Sequence, residues 1–138
     1  MGILVVKDLV EQVIEVRRKS DRTMSIKLAV GAEIFNVVSV YVPQMGLDQN
    51  IKRLFWEDLD EVIQSTLQTE KLLIGGDFNG HIGRRGDGYE TIHGGFGCSE
   101  KNSGQVSILD FSIAYGLSIV NSYFKKKEEH LITFEWKH

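Results

Sequence analysis

One cysteine, Cys98, and one proline, Pro43, are all that the 138 residues contain of either type. A lone thiol excludes an internal disulfide and suits a reducing compartment, so an intracellular protein of nucleus or cytoplasm is expected. Long apolar runs are missing too. The N-terminal run Ile3-Leu4-Val5-Val6 is too short for a signal peptide or a membrane span, and Val6 stands where an N-myristoylation motif needs Ser or Thr. No membrane partner is expected. Nor is there an excess of positive charge: 16 Lys and Arg against 19 Asp and Glu leave −3, which argues against capture of nucleic acid by bulk attraction. Phosphate chemistry remains open, because a divalent cation held by carboxylates supplies positive charge locally. The basic clusters Arg17-Arg18-Lys19, Arg84-Arg85 and Lys125-Lys126-Lys127 fit solvated surface. Arg84-Arg85 is set apart by following Asn79 closely.

The apolar fraction of 42% and charged fraction of 25% are those of an ordinary globular protein, and the length fits one domain with a proper core. Residues 1–7 read as a strand. Val13 to Arg17 and Met24 to Leu28 alternate apolar with polar, as a half-buried antiparallel pair does, with Ser20-Asp21-Arg22 as the turn. Ile34 to Val42 is more continuously apolar and stops at Pro43, which cannot donate to a ladder. From Asp48 to Gln68 the period changes. Ile51, Leu54, Phe55, Leu59, Val62, Ile63 and Leu67 mark the apolar face of a helix, with Asp48 as its N-cap and Trp56 packed at the edge beside Phe55. Leu72 to Ile74 forms a buried strand, and residues 80–104 form a long glycine-rich loop. A second helix runs from Ser103 or Gly104 to Ala114, with Val106, Leu109, Phe111 and Ile113 or Ala114 as its apolar face. Gly116 is its C-cap. Strands over Leu117–Asn121 and Leu131–Trp136 close the chain. Strands, a helix and another strand in this order give an α/β fold.

The chemistry is concentrated in Leu72-Leu73-Ile74-Gly75-Gly76-Asp77-Phe78-Asn79-Gly80-His81. An apolar run breaks at two glycines and delivers a carboxylate and an amide spaced by one residue. Strand alternation points Asp77 and Asn79 the same way while Phe78 turns inward. That places both at a strand's carboxyl end, where open α/β sheets hold ligands. The same residues also suit an Asx-type turn.

Tyr41-Val42-Pro43, Gly76-Asp77-Phe78-Asn79 and Thr133-Phe134-Glu135-Trp136 occur in an order that resembles the endonuclease/exonuclease/phosphatase superfamily. Gly75 to Gly83, His93 to Gly97, Leu109-Asp110-Phe111 and His130 to Phe134 are similar to the endonuclease domains of non-LTR retrotransposons and to craniofacial-development-type proteins. The resemblance implies a partial four-layer α/β/β/α sandwich of mixed, largely antiparallel sheets, with residues 1–138 as the central part of one truncated domain. It also implies Mg²⁺-dependent hydrolysis of phosphoesters. Asp77 would orient or deprotonate the attacking water and act as a weak metal ligand. Asn79 would hydrogen-bond a phosphate oxygen, and Tyr41 would contact the scissile phosphate as a donor, since a phenol is not a base at neutral pH. Thr133 and Trp136 would shape the wall of the site, with Arg84 and His81 as further substrate-binding residues.

The resemblance also implies parts that this stretch does not contain: an N-terminal Asn, a metal-ligating Glu, and terminal Arg-x-Asp and Ser-Asp-His elements. Turnover is therefore expected to be weak or absent in the chain alone. Exposed strand edges favour self-association into a homo-oligomer. Two alternatives stand beside the hydrolase: a noncatalytic remnant serving as a binding or self-association module, and a pocket reused for unrelated chemistry. DNA is the substrate favoured by ancestry, another phosphoester the competitor. His81, His93, Cys98 and His130 lack the paired spacing of a zinc site. Asp110 is read as a structural cap or pair, and Glu33 as a strand-start residue.

Overall fold

The computed structural model describes residues 1–44, 46–79, 103–123 and 125, with the backbone alone for 103–107. The chain divides into two compact units, Met1–Asn79 and Gly80–His138. The first holds a 3-10 helix at Lys7–Gln12, strands β1 (Val13–Arg18), β2 (Thr23–Val30) and β3 (Glu33–Tyr41), helix α1 (Gln49–Gln64) and strand β4 (Lys71–Asp77). The strands make one sheet in the order β1-β2-β3-β4, antiparallel except for the parallel pair β3–β4. This is an α/β unit, as the sequence pattern predicts.

Gly31, at φ 60°, starts the two-residue turn that pairs Val30 with Glu33. A left-handed glycine at that position matches the twist of the flanking strands. The register then follows along the hairpin, and Thr23, Ser25 and Lys27 share one face with Val40, Val38 and Asn36. Leu72, Ile74 and Gly76 of β4 extend that face. Val38 and Val40 are buried on it, and α1, packed against β2, buries Phe55, Leu59, Val62 and Ile63. Ile26 and Leu28 are buried on the opposite face. The sheet therefore has buried apolar residues on both sides.

Helix α1 begins where expected, with the Asp48 side chain accepting from the Asn50 N–H at 2.6 Å. It stops four residues early. The Ser65 and Thr66 hydroxyls donate to the Val62 carbonyl at 2.7 and 3.3 Å, occupying a last-turn acceptor. Leu67 is consequently exposed rather than part of the apolar face. Trp56 is half-buried and meets Phe55 edge-on, with centroids 5.1 Å apart. Residues 1–7 do not form the expected strand. No strand pairs with them among the described residues, and Leu4 is fully exposed. Strand β4 is longer than the predicted three residues and is not buried on both faces: it is an outer strand of the described sheet, and its Leu73 remains 52% exposed.

The second unit contains helix α2 (Ser103–Ala114) and a 3-10 helix at Val120–Tyr123. Gly116, at φ 63°, ends α2 as predicted: its N–H bonds the Ile113 carbonyl and the Leu117 N–H the Ser112 carbonyl. Among the described side chains of α2, Ile108, Leu109 and Ser112 are buried, whereas Ile113 and Ala114 are exposed. Ser112 tolerates burial because its hydroxyl donates to the Ile108 carbonyl at 2.9 Å. The strand expected at Leu117–Asn121 is reduced to a single bridge residue, Ile119, followed by the 3-10 turn. There the Ser122 N–H and hydroxyl both bond the Ile119 carbonyl, at 3.0 and 2.6 Å. The strand predicted at Leu131–Trp136 lies outside the described residues, as does most of the 80–104 loop.

The return from α1 to β4 is fastened by one carboxylate. Glu70 accepts from the Asn36 amide at 2.6 Å and from Lys27 at 3.2 Å. The Asn36 hydrogen bond, joined by Lys27, holds the Glu70 pKa below the ordinary glutamate value. A group lowered in the folded state stabilises above its unfolded pKa, and the contribution fades as pH falls through the folded value. Thermal melts from neutral pH down to about pH 3 are expected to show Tm of the native chain falling more steeply than that of Glu70→Gln, whose acid limb is flatter.

Candidate functional site

The carboxyl ends of the parallel pair β3–β4 bring Tyr41 and Asp77 together as register partners. Partners in adjacent strands project from the same face, so a phenol and a carboxylate stand side by side at the strand ends. The chain keeps this register one step further, since the Val42 N–H donates to the Asp77 carbonyl at 2.8 Å. Tyr41 is 37% exposed and Asp77 is exposed, so both are open to a ligand.

Gly76 makes the approach possible. Its φ is 145°, and a Cβ built there would sit 1.9 Å from the Val40 carbonyl oxygen. Only glycine permits that backbone conformation and contact. Gly75, one residue earlier, has open space around it.

Asn79 reaches the site by a different route from the one its spacing suggests. Strand β4 ends at Asp77, and Asn79 adopts φ 47°, a left-handed conformation that Asn tolerates better than most residues. Its N–H donates to Asp77 Oδ1 at 2.9 Å, which is an Asx turn. Its side-chain Nδ2 donates to the Val42 carbonyl at 2.6 Å. The amide thus clamps the end of β4 to the end of β3. Phe78 is half-buried.

Arg22 is a neighbour that motif reading overlooks. It lies opposite Tyr41, whose N–H donates to the Arg22 carbonyl at 2.9 Å. The Arg22 guanidinium carbon stands 5.0 Å from the Tyr41 ring centroid, within range of a cation–π contact. Hairpin counting could have found it: eight residues back from Val30 and eight on from Glu33 give this pair. His81, Arg84, Thr133 and Trp136 lie outside the described residues.

No group of three metal-ligating side chains occurs among the described residues. Asp77 provides one carboxylate, whereas Mg²⁺ takes one or two together with waters and substrate phosphate oxygens.

No family model matches the chain, and no solved structure does. Two curated proteins match over 134 residues, 97% of this chain, at 25% identity. The chain is similar to craniofacial development protein 2. The relatives are those of Tragulus javanicus and Bos taurus, of whose lengths the chain spans 23% and 22%. The stretch similar to craniofacial development protein 2 takes in the whole of the β3–β4 pair, because all but four residues of this chain are covered.

If Gly76 seats the site, Gly76→Ala is expected to destabilise by on the order of 3–5 kcal/mol or prevent folding, as a Cβ forced onto backbone must. Gly75→Ala, with room for its methyl, is expected to be neutral or stabilising by up to about 1 kcal/mol. Urea unfolding of the two variants checks the pair, and equal effects would remove the argument.

Proposed function

We propose that this chain is part of an endonuclease-like phosphodiester-hydrolase domain, built as a four-layer α/β/β/α sandwich and acting on DNA or a related phosphoester. The supporting observation is the placement of Tyr41, Asp77 and Asn79 at one strand end, inside the stretch similar to craniofacial development protein 2. Burial on both faces of the sheet suits the sandwich. In this reading Asp77 orients the attacking water and Tyr41 donates to a phosphate oxygen. Asn79 fixes the Asp77 carboxylate through its N–H and holds the two strand ends in register. Mg²⁺, when bound, would neutralise charge on the phosphate.

Incubation of supercoiled plasmid with the protein and Mg²⁺ tests the reading. Nicking that Asp77→Ala abolishes, in a variant that melts like the native chain, is the expected result. Nicking that survives the substitution would place the chemistry elsewhere or in a contaminant.

A second reading is favoured by the hydrogen bonds of Asn79. Its amide is spent on Val42 and one Asp77 oxygen is spent on its backbone, as in a fold retained for binding or self-association. Strands β1 and β4 are the outer strands of the described sheet and offer the edges for a homodimer. Sedimentation equilibrium giving a dimer, with no nicking at any Mg²⁺ concentration, is the outcome this reading requires; a folded monomer removes self-association from it.

A further inference from the structure

We propose that Arg22 is the phosphate-gripping residue of this site, holding a phosphoester beside the Tyr41 hydroxyl while Asp77 flanks it from the other side. The proposal deepens the hydrolase reading and rests on it for the substrate class.

Sheet register supplies the first argument. Arg22 lies opposite Tyr41 across β2–β3, and Tyr41 opposite Asp77 across β3–β4. Opposed residues project from one face, so the sheet end carries a row of cation, phenol and carboxylate. Strand spacing puts the backbones of the outer two about 10 Å apart. That span is wide enough to admit a phosphate.

The second argument is how little of the guanidinium is used. Arg17, Arg53, Lys19 and Lys27 stand against Glu15, Glu57, Glu61 and Glu70 respectively. For Arg22 no carboxylate partner occurs among the described residues. Its side chain makes one long hydrogen bond, from Nη1 to the Tyr41 carbonyl at 3.4 Å, and lies over the ring. Stacking orients the planar fork in advance, so less freedom is lost when it grips two phosphate oxygens.

Charge supplies the third. On a chain of net charge −3, Asp77 by itself repels a phosphate, and attraction must come from within the site. Among the described residues, Arg22 is the positive group that the register brings there. Nothing in the GDFN element signals it, because the residue belongs to the hairpin turn two strands away.

Binding separates this proposal from the reading beneath it. A fluorescein-labelled DNA duplex followed by anisotropy, and inorganic phosphate followed by chemical-shift changes at Arg22 and Tyr41, are measured on the full chain. Arg22→Met is expected to weaken DNA binding about ten-fold and to lower the salt slope by about one. Arg22→Lys recovers part of the loss, keeping the charge without the fork. Arg53→Met, on the exposed face of α1, leaves binding unchanged. Native binding that Arg22→Met leaves intact overturns the proposal and spares the hydrolase reading. Phosphate shifts at Arg22 without DNA binding support the grip and count against DNA as substrate. Absence of both overturns the grip outright.

Discussion

The backbone of β4 lies against β3 at Gly76 with no room for a side chain between them, and the positions of the site residues depend on that contact. Parallel pairing continues through it to the last residues of both strands, so Tyr41 and Asp77 end level with each other. A one-residue slip would send Asp77 to the opposite face, away from the phenol. Two further bonds oppose a slip: the Val42 N–H to the Asp77 carbonyl and the Asn79 amide to the Val42 carbonyl. The glycine's conformational freedom is thus what lets a strand end act as a rigid platform.

The far end of β4 is held by a different device. A parallel pair needs a crossover connection, here α1 and the turn after it, and the entry into β4 has to be placed on the sheet. Glu70 does this by reaching Asn36 on β3 and Lys27 on β2. Asn36, only 8% exposed, would be an expensive side chain to bury without such a partner. Carboxylate, amide and ammonium together fasten the register from one end as Gly76 does from the other.

Elements whose signal is local were legible in the residues. The β1–β2 hairpin, the Asp48 cap of α1 and the Gly116 cap of α2 each follow from a short pattern with its own physical cause. Elements that depend on competition were not. Ser65, Thr66 and Ser122 divert backbone carbonyls through their hydroxyls, shortening one helix and turning an expected strand into a 3-10 turn. The N-terminal apolar run looked like a strand, but a strand exists only where a ladder partner does. In the site, GDFN pointed to Asp77 and Asn79, whereas their relation to Tyr41 came from resemblance and the place of Arg22 only from register.

The Asx turn bears on function as well as on folding. A strand alone would have presented Asp77 and Asn79 in parallel, each free to rotate. In the turn, Asp77 Oδ1 is held by the Asn79 N–H, which limits how the carboxylate swings and aims its remaining acceptor capacity. The side-chain amide is committed to Val42, so a phosphate oxygen could reach it only by breaking that bond. Positioning is therefore the task that suits Asn79, and direct contact falls to groups less committed. In the proposed reading those groups are Tyr41, part-exposed, and Arg22, which has no carboxylate partner among the described residues. The charge complement of a phosphate then lies across the strands of the sheet rather than along the GDFN sequence.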